Sequence, residues 1–258
     1  MFSKIVSYLK FLLKSKNHHG VHSPFVYHLV TECFYKKQHT KDLTVFYQIR
    51  KNLFSDTSNI EIEDFGAGSK VFKSNTRQVS KIAKYAGISK KRAALLYNVI
   101  RYFQPKSIIE IGTSLGLGSS VLSLAAPNSR ITSIEGCKRT GEIAETLFKN
   151  YSLQNIKLTI GNFKTVLPKL FQNNSYDFIY FDGNHTKKAT LDYFNAALPS
   201  IHNDSVFLFD DIHWSKGMED AWAEIKNNPI VTVTIDTFQW GFVFFRKEQQ
   251  KEHFTIRI

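Results

Sequence analysis

Residues 107–116 read Ser107-Ile108-Ile109-Glu110-Ile111-Gly112-Thr113-Ser114-Leu115-Gly116, a short apolar run that ends on an acid and turns through two glycines. Such a run predicts a buried strand, a tight turn, and a helix opening at Leu117. The backbone is free to approach a ligand closely at Gly112 and Gly116, and the new helix presents unpaired N–H groups. A nucleotide is the natural guest. A dinucleotide fingerprint would need glycine at the two positions held by Ser114 and Leu117, so pyrophosphate binding is disfavoured.

Outward from this turn, short apolar runs alternate with helical stretches. Strands are expected at Ser107–Ile111, Arg130–Glu135, Lys157–Ile160, Phe178–Asp182 and Val206–Asp210, with a helical segment after each. That rhythm predicts a doubly wound, parallel α/β sheet. Two more strands, Val231–Asp236 and Gly241–Arg246, are joined only by Thr237 to Trp240. So short a link cannot make a parallel crossover, and this last pair must be antiparallel.

Ligands of open α/β sheets bind at the carboxyl ends of the strands. Those ends carry Glu110 and Gly112, then Glu135 with Gly136, Gly161 with Asn162, Asp182, and finally Asp210 with Asp211. Solvated strand ends would explain one or two such polar residues but not the whole series. Glu135 falls about 20 residues beyond the first glycine, where a carboxylate accepts hydrogen bonds from ribose hydroxyls. Asn162 both donates and accepts, as an adenine edge requires.

With Glu110-Ile111-Gly112-Thr113-x-x-Gly116, Glu135 and Gly161-Asn162 in view, the chain from about Ser107 onward resembles the class I S-adenosylmethionine-dependent methyltransferases. The resemblance extends to the closing antiparallel pair. It implies a Rossmann-like, mostly parallel seven-stranded sheet with a helical N-terminal cap, divided as residues 1–104 and 105–258. It also implies S-adenosylmethionine as cofactor, contacted by Glu110, Gly112, Thr113, Ser114, Gly116, Glu135, Gly136, Asn162 and Asp182.

Phe181-Asp182-Gly183-Asn184-His185-Thr186 and Phe209-Asp210-Asp211-Ile212-His213-Trp214 further resemble the small-molecule O-methyltransferases of the catechol type and their sugar-modifying bacterial relatives. In that branch the acids after the fourth and fifth strands hold a divalent cation, which here points to Asp182, Asp210 and Asp211 and to magnesium. Carboxylates suit such a hard cation, which would acidify the acceptor hydroxyl. Asp211 has a structural alternative as the cap of the following helix. Some sugar-modifying relatives have an acid after Asp-Gly, but this chain has Asn184, whose amide cannot take a proton. Catalysis is therefore expected from His185, with Asp182 beside it and His213 as the second candidate base. The acceptor is expected to be a small hydroxylated molecule. Phe238, Trp240 and Trp214 are candidates to line an aromatic acceptor pocket, and the competing explanation is that they are core.

The chain has 258 residues, 43% of them hydrophobic, and a formal charge of +12. Residues 1–100 carry 17 Lys and Arg against 6 Asp and Glu, while the rest carry 17 against 16. This asymmetry keeps a nucleic-acid methyltransferase open, although no amino-methylation motif or catalytic cysteine follows the fourth strand. Two cysteines, Cys33 and Cys137, are too few for a disulfide framework. The chain lacks a membrane-length apolar run and a signal-peptide cleavage site, so a cytoplasmic protein is expected.

Residues 1–14 have Phe2, Ile5, Val6, Leu9, Leu12 and Leu13 at helical spacing among lysines. A short basic amphipathic helix packs on its own domain, joins a homo-oligomer, or lies on an anionic membrane. If membrane contact were its sole purpose, the chain would be a non-catalytic, membrane-peripheral cofactor-binding module. His18, His19 and His22 fall in a loop broken by Gly20 and Pro24 and match no metal-ligand spacing. Asp64 to Ser69 forms a second glycine-rich turn, expected to be a simple turn or an accessory lid.

Overall fold

The computed structural model describes residues 2–37, 41–63, 74–172 and 174–258, so the Asp64 to Ser69 turn lies outside the described residues. In chain order the elements are α1 (Phe2–Lys14), α2 (Pro24–Leu29), α3 (Lys41–Ser55), β1 (Asn59–Glu61), β2 (Thr76–Gln78), α4 (Val79–Tyr85) and α5 (Lys90–Phe103). There follow β3 (Ser107–Ile111), α6 (Leu117–Ala125), β4 (Arg130–Glu135), α7 (Lys138–Asn150), β5 (Ile156–Ile160) and α8 (Phe163–Gln172). The last group is β6 (Phe178–Phe181), α9 (Lys187–Ala197), β7 (Val206–Asp210), α10 (Lys216–Asn227), β8 (Val233–Asp236), β9 (Trp240–Phe244) and β10 (Glu252–Thr255).

Two compact units share these elements: residues 1–35 with 166–258, and residues 36–165. The fold is α/β with a mostly parallel main sheet of eight strands. Within the second unit the order is β3-β4-β5, all parallel, with Ile109 opposite Thr132 and Ile134 opposite Thr159. Within the first unit it is β10-β8-β9-β7-β6, where β6 and β7 are parallel and β9 runs antiparallel to both β7 and β8. The expected closing pair is therefore present.

The sheet has one strand more than the seven expected. This is β10, parallel to β8, whose Glu-His-Phe-Thr buries only Phe254 and so lacks the apolar signature of a strand. The loop after α1 bridges beside it: Lys16 N donates to Thr255 O, and Arg257 N donates to Lys16 O. Of the seven expected strands, Ser107–Ile111, Arg130–Glu135 and Val206–Asp210 have the observed limits, and the other four differ by one or two residues at their ends.

Local chemistry sets the helix starts. Ser89 accepts from the Arg92 amide at the head of α5, Thr186 from Ala189 at α9, and Ser215 from Met218 at α10. In the second unit, Ile108, Ile109 and Ile111 of β3 are fully buried, α3 and α5 pack on α6, and Phe46, Ile49, Leu96 and Val121 of these helices are buried. The first unit has an aromatic core in which Phe181 stacks on Phe209 at 4.2 Å and Trp240 meets Phe242 edge-on. Trp240 is buried there, so of the three aromatics suggested for an acceptor pocket this one belongs to the core. Side chains of this kind each contribute on the order of 1.5–3 kcal/mol when buried. No helix among the described residues is long and apolar enough to cross a membrane.

Candidate functional site

In the second unit, the chain leaving β3 takes positive φ at Gly112 (107°), Ser114 (50°) and Gly116 (84°). Gly112 and Thr113 both donate to the carbonyl of Ile134 at the end of β4. Gly116 has a second reason to be glycine: a Cβ there would sit 2.7 Å from Phe148 and 3.2 Å from Ala144, both on α7. The close approach at Gly116 is to α7.

Glu135 ends β4 and reaches back to this turn. Its Oε2 accepts from Ser114 N at 2.6 Å and its Oε1 from Cys137 N at 2.8 Å. Burial raises its pKa, and the amides of Cys137 and Ser114 act in the opposite direction. Each oxygen keeps lone-pair capacity for hydroxyls of a bound sugar.

Glu110, one residue before the end of β3, is fully buried. Its Oε2 accepts from Ser119 Oγ and, at 2.5 Å, from Ser133 Oγ, which also bonds Thr113 Oγ1. Its Oε1 is buried with no hydrogen-bond partner among the described residues. Burial, opposed by Ser119 and Ser133 and reinforced by the charge of Glu135, raises its pKa to about 7. Nothing in the sequence signalled Ser119 or Ser133, because serines on a helix and a strand look unremarkable until the fold brings both to one carboxylate. Asn162 is exposed, and its Oδ1 accepts from Lys164 N at the start of α8, which occupies one end of the amide.

The first unit holds the other expected residues. Asp182 follows β6, and its Oδ1 lies 3.9 Å from His185 Nε2. Asn184 takes φ 53° and donates from Nδ2 to Tyr193 Oη at 3.4 Å. Asp210 is buried at the end of β7 and accepts from the Asp211 amide at 2.7 Å. Asp211 adopts φ 51°, and since Ser215 caps α10, the capping explanation for Asp211 does not hold.

His213 lies between two carboxylates, with Nε2 2.8 Å from Asp236 Oδ2 and Nδ1 3.2 Å from Glu219 Oε1. Burial works to lower its pKa, but the hydrogen bonds and charges of Asp236 and Glu219 prevail and raise it. Both ring nitrogens are engaged by these carboxylates.

Among the described residues no group of three or more His, Cys, Asp and Glu side chains is arranged to hold a metal ion. The sequence pattern had put Asp182, Asp210 and Asp211 on one magnesium. Of those three acids, Asp182 faces His185, and Asp210 turns an oxygen onto its neighbour's amide.

Residues 109–212 match the family model described as a methyltransferase domain. The chain carries a methyltransferase domain. Its sequence is 26% identical over 135 residues to a probable O-methyltransferase of Mycobacterium tuberculosis, covering 48% of this chain. The chain spans 57% of that relative's length. Among solved structures, the SAH-bound methyltransferase PaMTH1 of Podospora anserina superposes with a TM-score of 0.62 at 14% identity, over 88% of this chain and 97% of that one. The O-methyltransferase TomG of Streptomyces achromogenes, in complex with SAM, gives 0.57 at 16% identity, over 86% and 95%. An SAH-bound O-methyltransferase of Bacillus cereus gives 0.56 at 16% identity, over 80% and 90%. The match to the methyltransferase domain begins in β3 and ends just after β7, so it takes in Glu110, Glu135, Asp182 and Asp210.

Proposed function

We propose that this chain transfers a methyl group from S-adenosylmethionine to a hydroxyl oxygen of a small acceptor. The observation that carries the reading is Glu110 Oε1, a buried carboxylate oxygen without a partner at the foot of the Gly112 turn. A buried acid of this kind calls for a cationic guest, and the ammonium of a methionine moiety is one. S-adenosylmethionine, when bound, supplies an electrophilic methyl group on a sulfonium. Glu110 would then ionise against the ammonium, Glu135 would accept from the ribose hydroxyls, and the backbone at Gly112 would border the methionine chain. Thr113, Ser114 and Gly136 complete the turn, and Asn162 would offer its amide nitrogen to the adenine.

For the acceptor, His185 is the proposed general base. Its Nε2 faces Asp182, which leaves Nδ1 to take the hydroxyl proton, and the Asp182 carboxylate favours the imidazolium that results. His213 helps to shape the same unit, because its ring stacks on Phe238 at 5.1 Å. Choice of acceptor is assigned to the N-terminal 104 residues, of which α1 reaches Phe238 through Tyr8 and Phe11.

The test is calorimetric titration with S-adenosylmethionine, followed by release of S-adenosylhomocysteine over a panel of hydroxylated acceptors. Binding of NADH in place of S-adenosylmethionine would reject the reading. Activity on nucleic acid, accompanied by steeply salt-dependent retention on heparin, would support the competing acceptor class suggested by the basic N-terminal segment.

A further inference from the structure

Helix α1 uses one side to join the first unit and leaves the other uncovered. On the attached side, Phe11 is buried against Phe238, Tyr8 meets the same ring edge-on at 4.8 Å, and Ser7 Oγ donates to Glu219 Oε1 at 2.6 Å. Lys4 lies over the Trp214 ring at 4.6 Å. On the other side Ile5 is 55% exposed, Leu9 54% and Leu13 89%. At a spacing of four residues they form a single stripe, about 12 Å long at the helical rise.

Four of the nine large hydrophobic residues exposed in the described structure fall in this one helix: Ile5, Tyr8, Leu9 and Leu13. That concentration sets α1 apart from the scattered apolar exposure of an ordinary surface. Charge then indicates what covers the stripe. Residues 1–16 contain Lys4, Lys10, Lys14 and Lys16 and no acid, and Lys10, Lys14 and Lys16 are all exposed. A second copy of the chain meeting this stripe across a two-fold axis would bring like charges together. An anionic surface would not.

We propose that α1 docks this protein on an anionic lipid surface, with Ile5, Leu9 and Leu13 entering the boundary between headgroups and acyl chains and Lys10, Lys14 and Lys16 against the lipid phosphates. Both contributions are needed, since a stripe of three side chains is small and the attraction of lysines to anionic headgroups supplements it. The helix remains joined to its unit through Phe11 and Ser7, so docking holds Trp214, Phe238 and His213 close to the membrane plane.

The test is co-sedimentation of the full chain with vesicles of phosphatidylcholine alone and with phosphatidylglycerol added. The protein is expected to bind the anionic vesicles at low salt, with little binding to neutral ones. The double variant Leu9→Ser, Leu13→Ser is expected to lose at least about tenfold in partitioning, and Lys10→Glu with Lys14→Glu to lose the preference for anionic lipid. Both doubles replace exposed side chains, so their melting temperatures and S-adenosylmethionine affinities should match the parent, which separates this test from that of methyl transfer. Equal binding to both vesicle types, or undiminished binding by the Leu9, Leu13 double, overturns the proposal. A dimer in sedimentation velocity that the same double dissociates, without vesicle binding, overturns it in favour of a second copy.

Discussion

The backbone N–H of Ser114 donates to Oε2 of Glu135 across 2.6 Å, tying the turn after β3 to the acid that ends β4. Because Ser114 sits at φ 50°, its amide points where an ordinary right-handed residue would not aim it, and the carboxylate holds that unfavoured conformation in place. One side chain thus shapes the turn, and in the proposed function its remaining lone pairs would serve the ribose hydroxyls.

Removing that carboxylate should therefore act twice. Glu135→Ala is expected to weaken S-adenosylmethionine binding by at least about tenfold, or about 1.4 kcal/mol, measured by isothermal titration. Glu135→Gln, which can still accept from Ser114, should lose less. Unchanged affinity in a folded Glu135→Ala protein would remove the central assignment.

The two glycines of the turn should respond differently. Gly116→Ala forces a Cβ against Phe148 at positive φ, and a loss of about 2 kcal/mol or more is expected, read from the melting curve. Gly112→Val should cost stability through its φ of 107° and also abolish cofactor binding at temperatures where the variant is still folded. If Gly116→Ala abolishes binding at temperatures where it stays folded, while Gly112→Val binds normally, the ligand approaches the other glycine.

Glu110 makes the ligand-free protein sensitive to pH. Its folded pKa of about 7 lies above the 4.5 of an ordinary glutamate, so its contribution is fully present below the lower value and is lost as pH rises through the higher one. The difference amounts to about 3 kcal/mol between acid and mildly alkaline conditions. Glu110→Gln should flatten this pH dependence of the melting temperature, and it should also weaken S-adenosylmethionine binding by removing the partner of the ammonium. Parallel stability curves for the two proteins would show that Glu110 does not titrate there.

His185 is tested through turnover. His185→Ala should lower methyl transfer by about 10²- to 10⁴-fold, the usual range for a general base, and leave cofactor affinity within about twofold. His213→Gln should instead lower stability, since it removes the ring that bonds both Asp236 and Glu219. A larger turnover loss in His213→Gln than in His185→Ala, with the fold intact, would exchange the two roles.

If Asp182, Asp210 and Asp211 share a divalent cation, magnesium at millimolar concentration should raise the melting temperature of the cofactor-bound protein and restore activity after EDTA treatment. A shift that Asp210→Ala removes would support a cation site at that residue, and no shift at all would leave it without support.

Sequence alone determined the strands and the turn that opens the site, because their signals are local. Ser107–Ile111, Arg130–Glu135 and Val206–Asp210 are strands with the limits their apolar runs predict. A short link between two apolar runs was enough to make β8 and β9 antiparallel, since chain length forbids the alternative. Strand β10 escaped because a single buried phenylalanine carries no periodicity.

What only the tertiary structure decided are relations between residues far apart in the chain. Tertiary packing brings Ser119 and Ser133 to Glu110, gives Gly116 its necessity through Phe148, and places Asp236 and Glu219 on the two nitrogens of His213. It also directs Asp182 to a histidine and Asp210 to a backbone amide, although both strand ends read in sequence as metal ligands. The physical reason is that residue type fixes which bonds a side chain can make, whereas packing and backbone angle fix which of those bonds lie within reach.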